Sequence, residues 1–597
     1  MPDFRYFEVQ KLAIENKNNI KGERTFMKKI NIEVNGMTCE HCVARVNKFI
    51  LSVPGVKNID TVLKENKSYI VADNNVNVET ITLSIKDAGY KPGKYDVSEA
   101  EGLDESHDRT SSKGISDMDK KNGAGNYDYD LIIIGGGSAA FSSAIYAAEK
   151  NLRVCVIENW VIGGTCLNRG CVPSKHFLEA GRIFYEPLNN KYQGIKVEQK
   201  SIDMKTLVEE KDILLTALRQ VKYYNVLEGY PQIRFINGTG RFISKNAVEI
   251  IPAGRTGQPY TISSEKFIIA TGSKNKILDI PGLGDTGYMT NTELLDISYI
   301  PKTLLIQGTR ALALEFAQMF SRFGSKVVIV GRANRVALNE EPEISEELEN
   351  ILRREGIEIL LGSEIKKLYK KEGKKYAEIE TEDGIKVIEF DEFLMATGIV
   401  GNSMELNLDA AGVETDKNGF VVVNDELKTS EDNIYAAGDI TVKWFFVTVA
   451  AYEGKIAASN LLDGTHIKTD YSAVAHTTFT DPELSSVGLT EEQAVKAGYD
   501  IEKAVFPISY TPKAQAIFKT EGLVKMIAEK ETGKVLGIHM LAHNSSETIQ
   551  QASVYIQNNY TVERIGQEIG VYPTMAESLK LCAQTFTKDI SKLSCCA

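Results

Sequence analysis

Cysteine is scarce in this chain, with eight in 597 residues. That scarcity excludes a small secreted scaffold stapled by disulfides, where cysteines are dense. Long apolar runs are also missing. The best candidate, 131–148, is broken by Gly135, Gly136 and Gly137, so no membrane-spanning helix is expected. Residues 1–26 alternate charged and apolar residues and lack the apolar centre of a secretion signal. Positive charge is not in excess: the formal net charge is −12, which argues against nucleic acid or an anionic membrane as a stable partner. The expected compartment is therefore cytoplasmic. Hydrophobic content of 43% and charged content of 25% suit a soluble, multidomain globular chain.

Six of the eight cysteines fall into close pairs: Cys39/Cys42, Cys166/Cys171 and Cys595/Cys596. Paired cysteines in a cytosolic protein point to metal binding or redox chemistry. Cys155, in an apolar strand, and Cys582, in a helical stretch, read as packing residues. The order of elements over 28–93 is βαββα with a short last strand near Lys91, a ferredoxin-like arrangement. Residues 94–126 are polar and rich in Ser, Asp, Lys and Gly, the composition of a flexible linker. Strands then alternate with helices to about Thr469, the pattern of parallel α/β domains. From Tyr471 the pattern becomes α+β.

The segment Leu131-Ile-Ile-Ile-Gly135-Gly-Gly137-Ser-Ala-Ala140 is an apolar strand, a glycine turn and a helix start. Such a helix end offers free N–H groups to a pyrophosphate. Gly135 permits the turn, Gly137 permits close approach, and Ala140 lets the helix pack on the strand. Glu158 ends the next strand, where a carboxylate can accept from ribose hydroxyls. Soon after comes Gly163-Gly164-Thr165-Cys166-Leu-Asn-Arg-Gly-Cys171-Val-Pro-Ser-Lys175. Its spacing lets two sulfurs meet in a helical turn, close behind the dinucleotide fingerprint.

These motifs resemble the pyridine nucleotide–disulfide oxidoreductases. The resemblance covers residues 127–597 and includes Ala270-Thr271-Gly272-Ser273, Ala396-Thr-Gly398 and the segment ending at Gly438-Asp439. It implies two Rossmann-like dinucleotide-binding domains and an α+β dimerisation domain. It divides the chain into an FAD-binding domain (127–299), an NADPH-binding domain (300–397), a second FAD or central part (398–470) and a dimerisation domain (471–597). It also implies that Asp439 binds the FAD ribityl chain, that Cys171 is the flavin-proximal thiolate and Cys166 the exchanging one. Lys175 then pairs with a glutamate, expected to be Glu315.

The nicotinamide turn is expected at Gly308-Thr-Arg310-Ala-Leu-Ala313-Leu-Glu315. It keeps only the first glycine of its motif, and Arg310 could pair with phosphate directly. Arg332, with no acid at the end of the next strand, suits the 2′-phosphate of NADPH.

Three features point within the family to its metal-reducing branch, whose substrate is Hg(II). Tyr572-Pro-Thr-Met-Ala-Glu577 carries a tyrosine where disulfide reductases of the family have a proton-shuttling histidine. An unperturbed tyrosine is a poor shuttle at neutral pH. The family's other active-site tyrosine matches Tyr223, with Tyr224 adjacent and the register between them open. The terminal Cys595/Cys596 is a soft thiolate pair suited to a soft metal. The resemblance implies that this pair passes Hg(II) to Cys166/Cys171 of the other subunit of a homodimer. Finally, Gly36-Met-Thr-Cys39-Glu-His-Cys42 resembles the heavy-metal-associated domain, which alone would fit copper or zinc carriage; fused to this catalytic body it reads as a mercury collector. The expected activity is NADPH-dependent reduction of Hg(II) to Hg(0) through FAD, with small thiols delivering the metal, in mercury detoxification.

Two rivals stand beside this reading: a dihydrolipoamide dehydrogenase-like disulfide reductase with a fused metal domain, and a metal chaperone or sensor with a regulatory flavin domain. The first strand signal begins just after Met27. A chain begun at Met27 is expected to fold and retain activity; its failure to do either would show that residues 1–26 are needed.

Overall fold

In the computed structural model the described residues are 127–198, 201–253 and 257–592. Within the first hundred residues they are 27–35, 56–63, 66–73, 76–87 and 90–100, with Val46, Ile50 and Val53. The chain divides into two compact units, 1–124 and 125–597.

The first unit is a four-stranded antiparallel sheet in the order Val56–Val62, Lys67–Asp73, Met27–Asn35, Lys91–Ala100. The helix Val78–Asp87 buries Ile81 and Ile85 against Ile30, Ile32 and Ile70. Val46 and Ile50 are helical and buried in the same core. One expectation is corrected here. The last strand is not a short one near Lys91 followed by a linker from 94; it continues to Ala100, paired in register from Val34↔Pro92 to Met27↔Ala100. Its backbone bonds are indifferent to side-chain polarity, so an edge strand of polar residues reads as a linker. Cys39 and Cys42 lie outside the described residues.

Among the described residues, the second unit is built on a seven-stranded mixed sheet with a parallel core, a four-stranded parallel sheet and a five-stranded antiparallel sheet, with smaller two- and three-stranded antiparallel sheets beside them. The first begins with Leu131–Ile134, flanked in parallel by Val154–Glu158 and Phe267–Ile269, with Ile434–Ala436 beyond the latter. These strands are mostly apolar because both faces are covered, one by helices and the other by residues such as Phe242, Val248 and Ile250 of neighbouring antiparallel strands; Leu131, Ile132 and Ile133 are fully buried. The helices Ser138–Ala148 and Val447–Asp463 pack together on one face. Small residues permit close approach: a Cβ at Gly454 would lie 2.2 Å from the carbonyl of Ala139.

The second parallel sheet orders Glu358–Leu360, Lys326–Val330, Thr303–Gln307 and Glu392–Met395. The helix Ala311–Phe323 covers it with ten buried residues. The C-terminal sheet has five antiparallel strands, His476–Thr478, Glu483–Gly488, Val535–Ala542, Leu523–Glu529 and Ile501–Pro507. The helices Ser545–Gln557 and Glu577–Gln584 pack on it, and Cys582 is buried in its core. Cys155 is buried in the first sheet. Among the described residues no helix is long and apolar enough to cross a membrane.

A buried ionic cluster ties this last sheet to the start of the helix Pro342–Arg354, beside the second parallel sheet. Lys525 Nζ donates to Glu341 at 2.7 Å, Glu343 at 2.9 Å and Glu491 at 2.8 Å, and both Lys525 and Glu341 are buried. Removing one partner of such a cluster strands the other charge in a poorly solvated place. Lys525→Met is therefore expected to destabilise this unit by about 3–5 kcal/mol, read as a lower urea midpoint. An unchanged midpoint would show that the cluster contributes nothing.

Candidate active site

The glycine turn after Leu131–Ile134 is shaped by close contacts. Gly135 has φ +119°, and a Cβ there would lie 2.2 Å from the carbonyl of Ala270. Gly136 N–H donates to Glu158 Oε2 at 2.7 Å, and Trp160 N–H donates to Oε1 at 2.8 Å. Glu158 thus braces the turn. Burial raises its pKa against these bonds. Ala140, in the first turn of the following helix, is fully buried. Gly137 precedes the helix Ser138–Ala148, whose N-terminus has no side-chain cap. Gly164, at φ +64°, packs so closely on Gly137 that a Cβ there would meet its Cα at 2.8 Å. The fingerprint turn and the start of the thiol-bearing helix therefore touch.

These turns open onto a cavity of about 520 Å³, lined among others by Gly137, Glu158, Thr165, Cys166, Cys171, Thr271, Gly272 and Asp439. The Thr271 hydroxyl is buried without a partner, while the backbone at Gly272 faces open space. Asp439 accepts from Ser273 Oγ at 3.2 Å, and burial raises its pKa. An orphan hydroxyl, uncapped backbone N–H groups and two carboxylates form a donor and acceptor set that fits a dinucleotide with ribose and ribityl hydroxyls.

Cys166 and Cys171 are free thiols on consecutive helices, Gly164–Arg169 and Cys171–Tyr185. The break falls at Gly170, where a Cβ would meet the Thr165 carbonyl at 2.9 Å. The hydrogen bond from Cys166 lowers the pKa of Cys171 to about 7, opposed by burial and helped by the Lys175 ammonium. The same bond, with burial, pushes the Cys166 thiol up. One sulfur is thus set as the thiolate and the other as the proton carrier.

Lys175 Nζ pairs with Glu315 at 2.9 and 3.1 Å. It also stands 4.2 Å from the centroid of the Phe479 ring, whose backbone N–H donates to Glu315 Oε1 at 2.9 Å. Tyr223, not Tyr224, faces the thiols. Its hydroxyl lies 3.4 Å from the Gly163 carbonyl, and its ring packs edge-on against Phe141. Burial raises its pKa, with Ser138 opposing and Cys166 adding to the rise. A π-helical turn over Gln220–Tyr224 sets this register and leaves Tyr224 exposed.

Around the second turn, Gly308 has φ +139°, with the Ala396 carbonyl 2.3 Å from where a Cβ would be. Arg310 has extended backbone (φ −99°, ψ 179°) just before the helix Ala311–Phe323, so this position does not need glycine. Arg310 and Arg332 are both exposed at this end of the sheet. Gln307 Oε1 is buried there without a partner. Arg335 is committed to the carbonyls of Leu338 and Glu340. A phosphate-rich ligand fits this end.

Tyr572 and Glu577 do not line the cavity among its described residues. Tyr572 is 51% exposed, beside the more exposed Ile569 and Val571. Glu577 begins the helix Glu577–Gln584; one carboxylate oxygen is buried without a partner, and burial raises its pKa. Cys595 and Cys596 lie outside the described residues. Two cavity-lining residues not singled out in the sequence are Trp160 and Arg169, the latter between the two cysteines, with its guanidinium 4.5 Å from the indole centroid.

Comparison with known proteins adds three family matches: Pyridine nucleotide-disulphide oxidoreductase over 129–454, its dimerisation domain over 474–583, and Heavy-metal-associated domain over 31–91. A mercuric reductase of Bacillus cereus is 36% identical over 99% of this chain and 89% of its own. One from Lysinibacillus sphaericus is 37% identical over 96% of this chain and 100% of its own. Among solved structures, the Cu(II) complex of the HOCl-induced flavoprotein disulfide reductase RclA from Escherichia coli superposes with a TM-score of 0.69. It is 29% identical and covers 77% of this chain and 99% of its own.

The geometry makes a direct forecast for Cys171. Its thiolate should be present above about pH 7 and lost on acidification below it. Alkylation of the reduced protein should show its half-maximal rate near that pH, and Lys175→Met should move the midpoint upward. A midpoint near the ordinary thiol value of about 8.5 would contradict the arrangement.

Proposed function

The chain belongs to the pyridine nucleotide-disulphide oxidoreductase family, and from that premise we propose that it is an NADPH-dependent reductase of Hg(II). The observation that carries this reading is the Cys166/Cys171 pair, one thiol lowered and one raised, on the wall of a dinucleotide cavity. The near full-length relatives named mercuric reductase supply the metal.

FAD and NADPH, when bound, supply the two electrons that convert Hg(II) to Hg(0). The chain's own residues do the rest. Gly137 and the helix start behind it receive the pyrophosphate, Glu158 and Asp439 the ribose and ribityl hydroxyls, and Ala270–Gly272 close the cavity wall. Arg310 and Arg332 receive the phosphates of the nicotinamide cofactor. Lys175, held by Glu315, keeps a positive charge beside the thiols and favours the thiolate form of Cys171.

Hg(II) arrives on small thiols or on Cys39/Cys42 and passes by thiolate exchange to Cys595 and Cys596 of the partner subunit. It then passes to Cys166 and Cys171. Each exchange forms one Hg–S bond as another breaks, so the metal stays on sulfur, which soft cations prefer. In the last step both Hg–S bonds break, the metal takes the two electrons and leaves as Hg(0), and both sulfurs remain as thiolates. Overall, NADPH and Hg(II) give NADP⁺, a proton and Hg(0).

Tyr572 and Glu577 belong to the dimerisation region, with the exposed Ile569 and Val571 beside them. In a homodimer this surface brings Tyr572 to the other subunit's thiols, where it assists the metal together with Tyr223. The protein acts in the cytoplasm, in mercury detoxification, without stable membrane association.

Purified enzyme should oxidise NADPH far faster with Hg(II) than with lipoamide or glutathione disulfide. Brisk lipoamide turnover with little mercury response would instead identify a disulfide reductase. Replacing Cys595 and Cys596 by Ala should lower turnover at least about tenfold, the loss expected when a transition-state contact of about 1.4 kcal/mol disappears, with flavin content unchanged. Full activity in that variant would defeat the relay.

A further inference from the structure

Arg169 stands between the two redox cysteines in sequence and ends the helix Gly164–Arg169. Its side chain lines the cavity and rests on the face of Trp160. Among the described residues it meets no carboxylate within 4.0 Å and donates no hydrogen bond. The two carboxylates whose charge it feels, Glu158 and Glu293, are committed elsewhere. Glu158 accepts from the backbone of Gly136 and Trp160, and Glu293 accepts from the backbone and hydroxyl of Thr290.

A guanidinium carries five N–H donors and no acceptor. Held on a cavity wall with none of them used, it loses hydration that an aromatic face replaces only in part. An anion in the cavity would complete it. The helix geometry says where that anion lies. Thr165 and Arg169 are four residues apart and share a face, and helical side chains lean toward the N-terminus. Arg169 therefore leans back toward Gly164, which packs on Gly137 at the fingerprint turn. The intervening rise is about 7.5 Å, comparable to an extended arginine side chain. The cavity's other lining cation, Lys274, directs its amine to Met404 Sδ at 3.5 Å, leaving Arg169 as the uncommitted one.

We propose that Arg169 is the cationic contact of the FAD pyrophosphate, a role that rests on the FAD reading above. The dianion takes the donors of the guanidinium, and Trp160 holds the planar group in place. The backbone of Arg169 is anchored as well, because Asn291 Nδ2, on the helix Asn291–Leu294, donates to the Arg169 carbonyl at 2.6 Å.

The test uses purified holoenzyme with Arg169→Met, Arg169→Gln and Arg169→Lys. FAD release on dilution is followed by free-flavin fluorescence at several salt concentrations. Both neutral variants should bind FAD at least about tenfold more weakly, the scale of one lost charge-assisted hydrogen bond. Arg169→Lys should recover part of the loss, and salt should weaken binding by the wild type more steeply than by the neutral variants. Gln provides a second neutral replacement where Met does not fold. Wild-type retention of FAD in both neutral variants overturns the assignment, as does a lysine variant as weak as both with equal salt slopes, which would place the role in packing. Wild-type protein that binds no FAD would defeat the cofactor reading itself.

Discussion

A single carboxylate holds the catalytic unit together at its centre. Glu315, on the helix of the second nucleotide-binding domain, accepts from Lys175 on the thiol-bearing helix and from the backbone of Phe479 in the C-terminal domain. Three segments far apart in the chain thus meet at two oxygens. Burying that carboxylate costs solvation, which only the full set of donors offsets. The demand runs both ways: the ion pair orders Lys175, and the ordered ammonium sets the field at Cys171. The separation in proton affinity between the thiols is set first by their mutual hydrogen bond and by burial, and the ordered ammonium adds to it at Cys171.

Around this joint the packing is made by absent side chains. Gly137 against Gly164, and Gly454 against Ala139, bring backbones to distances that a Cβ would forbid. The first contact sets the phosphate turn beside the thiols; the second seats the helix Val447–Asp463 on the helix of the fingerprint. Uncapped helix starts at Ser138 and Ala311 remain to face ligands. The C-terminal sheet is locked to the start of the helix Pro342–Arg354 by charge instead, through Lys525, Glu341, Glu343 and Glu491. It thereby fixes where Phe479, and through it Glu315, must stand.

Much of this architecture is legible in the amino-acid sequence. The two glycine turns, the thiol pair and the alternating strands and helices are sequential patterns, because a strand, its turn and the following helix are neighbours in the chain. The dimerisation and metal-domain regions are legible in the same way, and the family matches cover both. Other features are not. The sequence matches Tyr223 to the family's tyrosine, with Tyr224 adjacent, and a π-helical turn separates the two by changing the angular step of the helix. Polar residues 94–100 read as linker, yet main-chain pairing to the first strand makes them an edge.

What the sequence determined by itself is the chemistry available: two thiols close enough to react, phosphate turns before and after them, and a tyrosine at 572 where thiol-disulfide exchange wants a histidine. Each depends on residue type and short spacing. The tertiary structure decided how those groups behave. Lys175 meets Glu315 across 140 positions, the pair the family resemblance implied, and Arg169 turns an uncommitted guanidinium toward the cavity. Direction, burial and long-range electrostatics exist only once distant segments share one low-dielectric interior, and no local pattern encodes them.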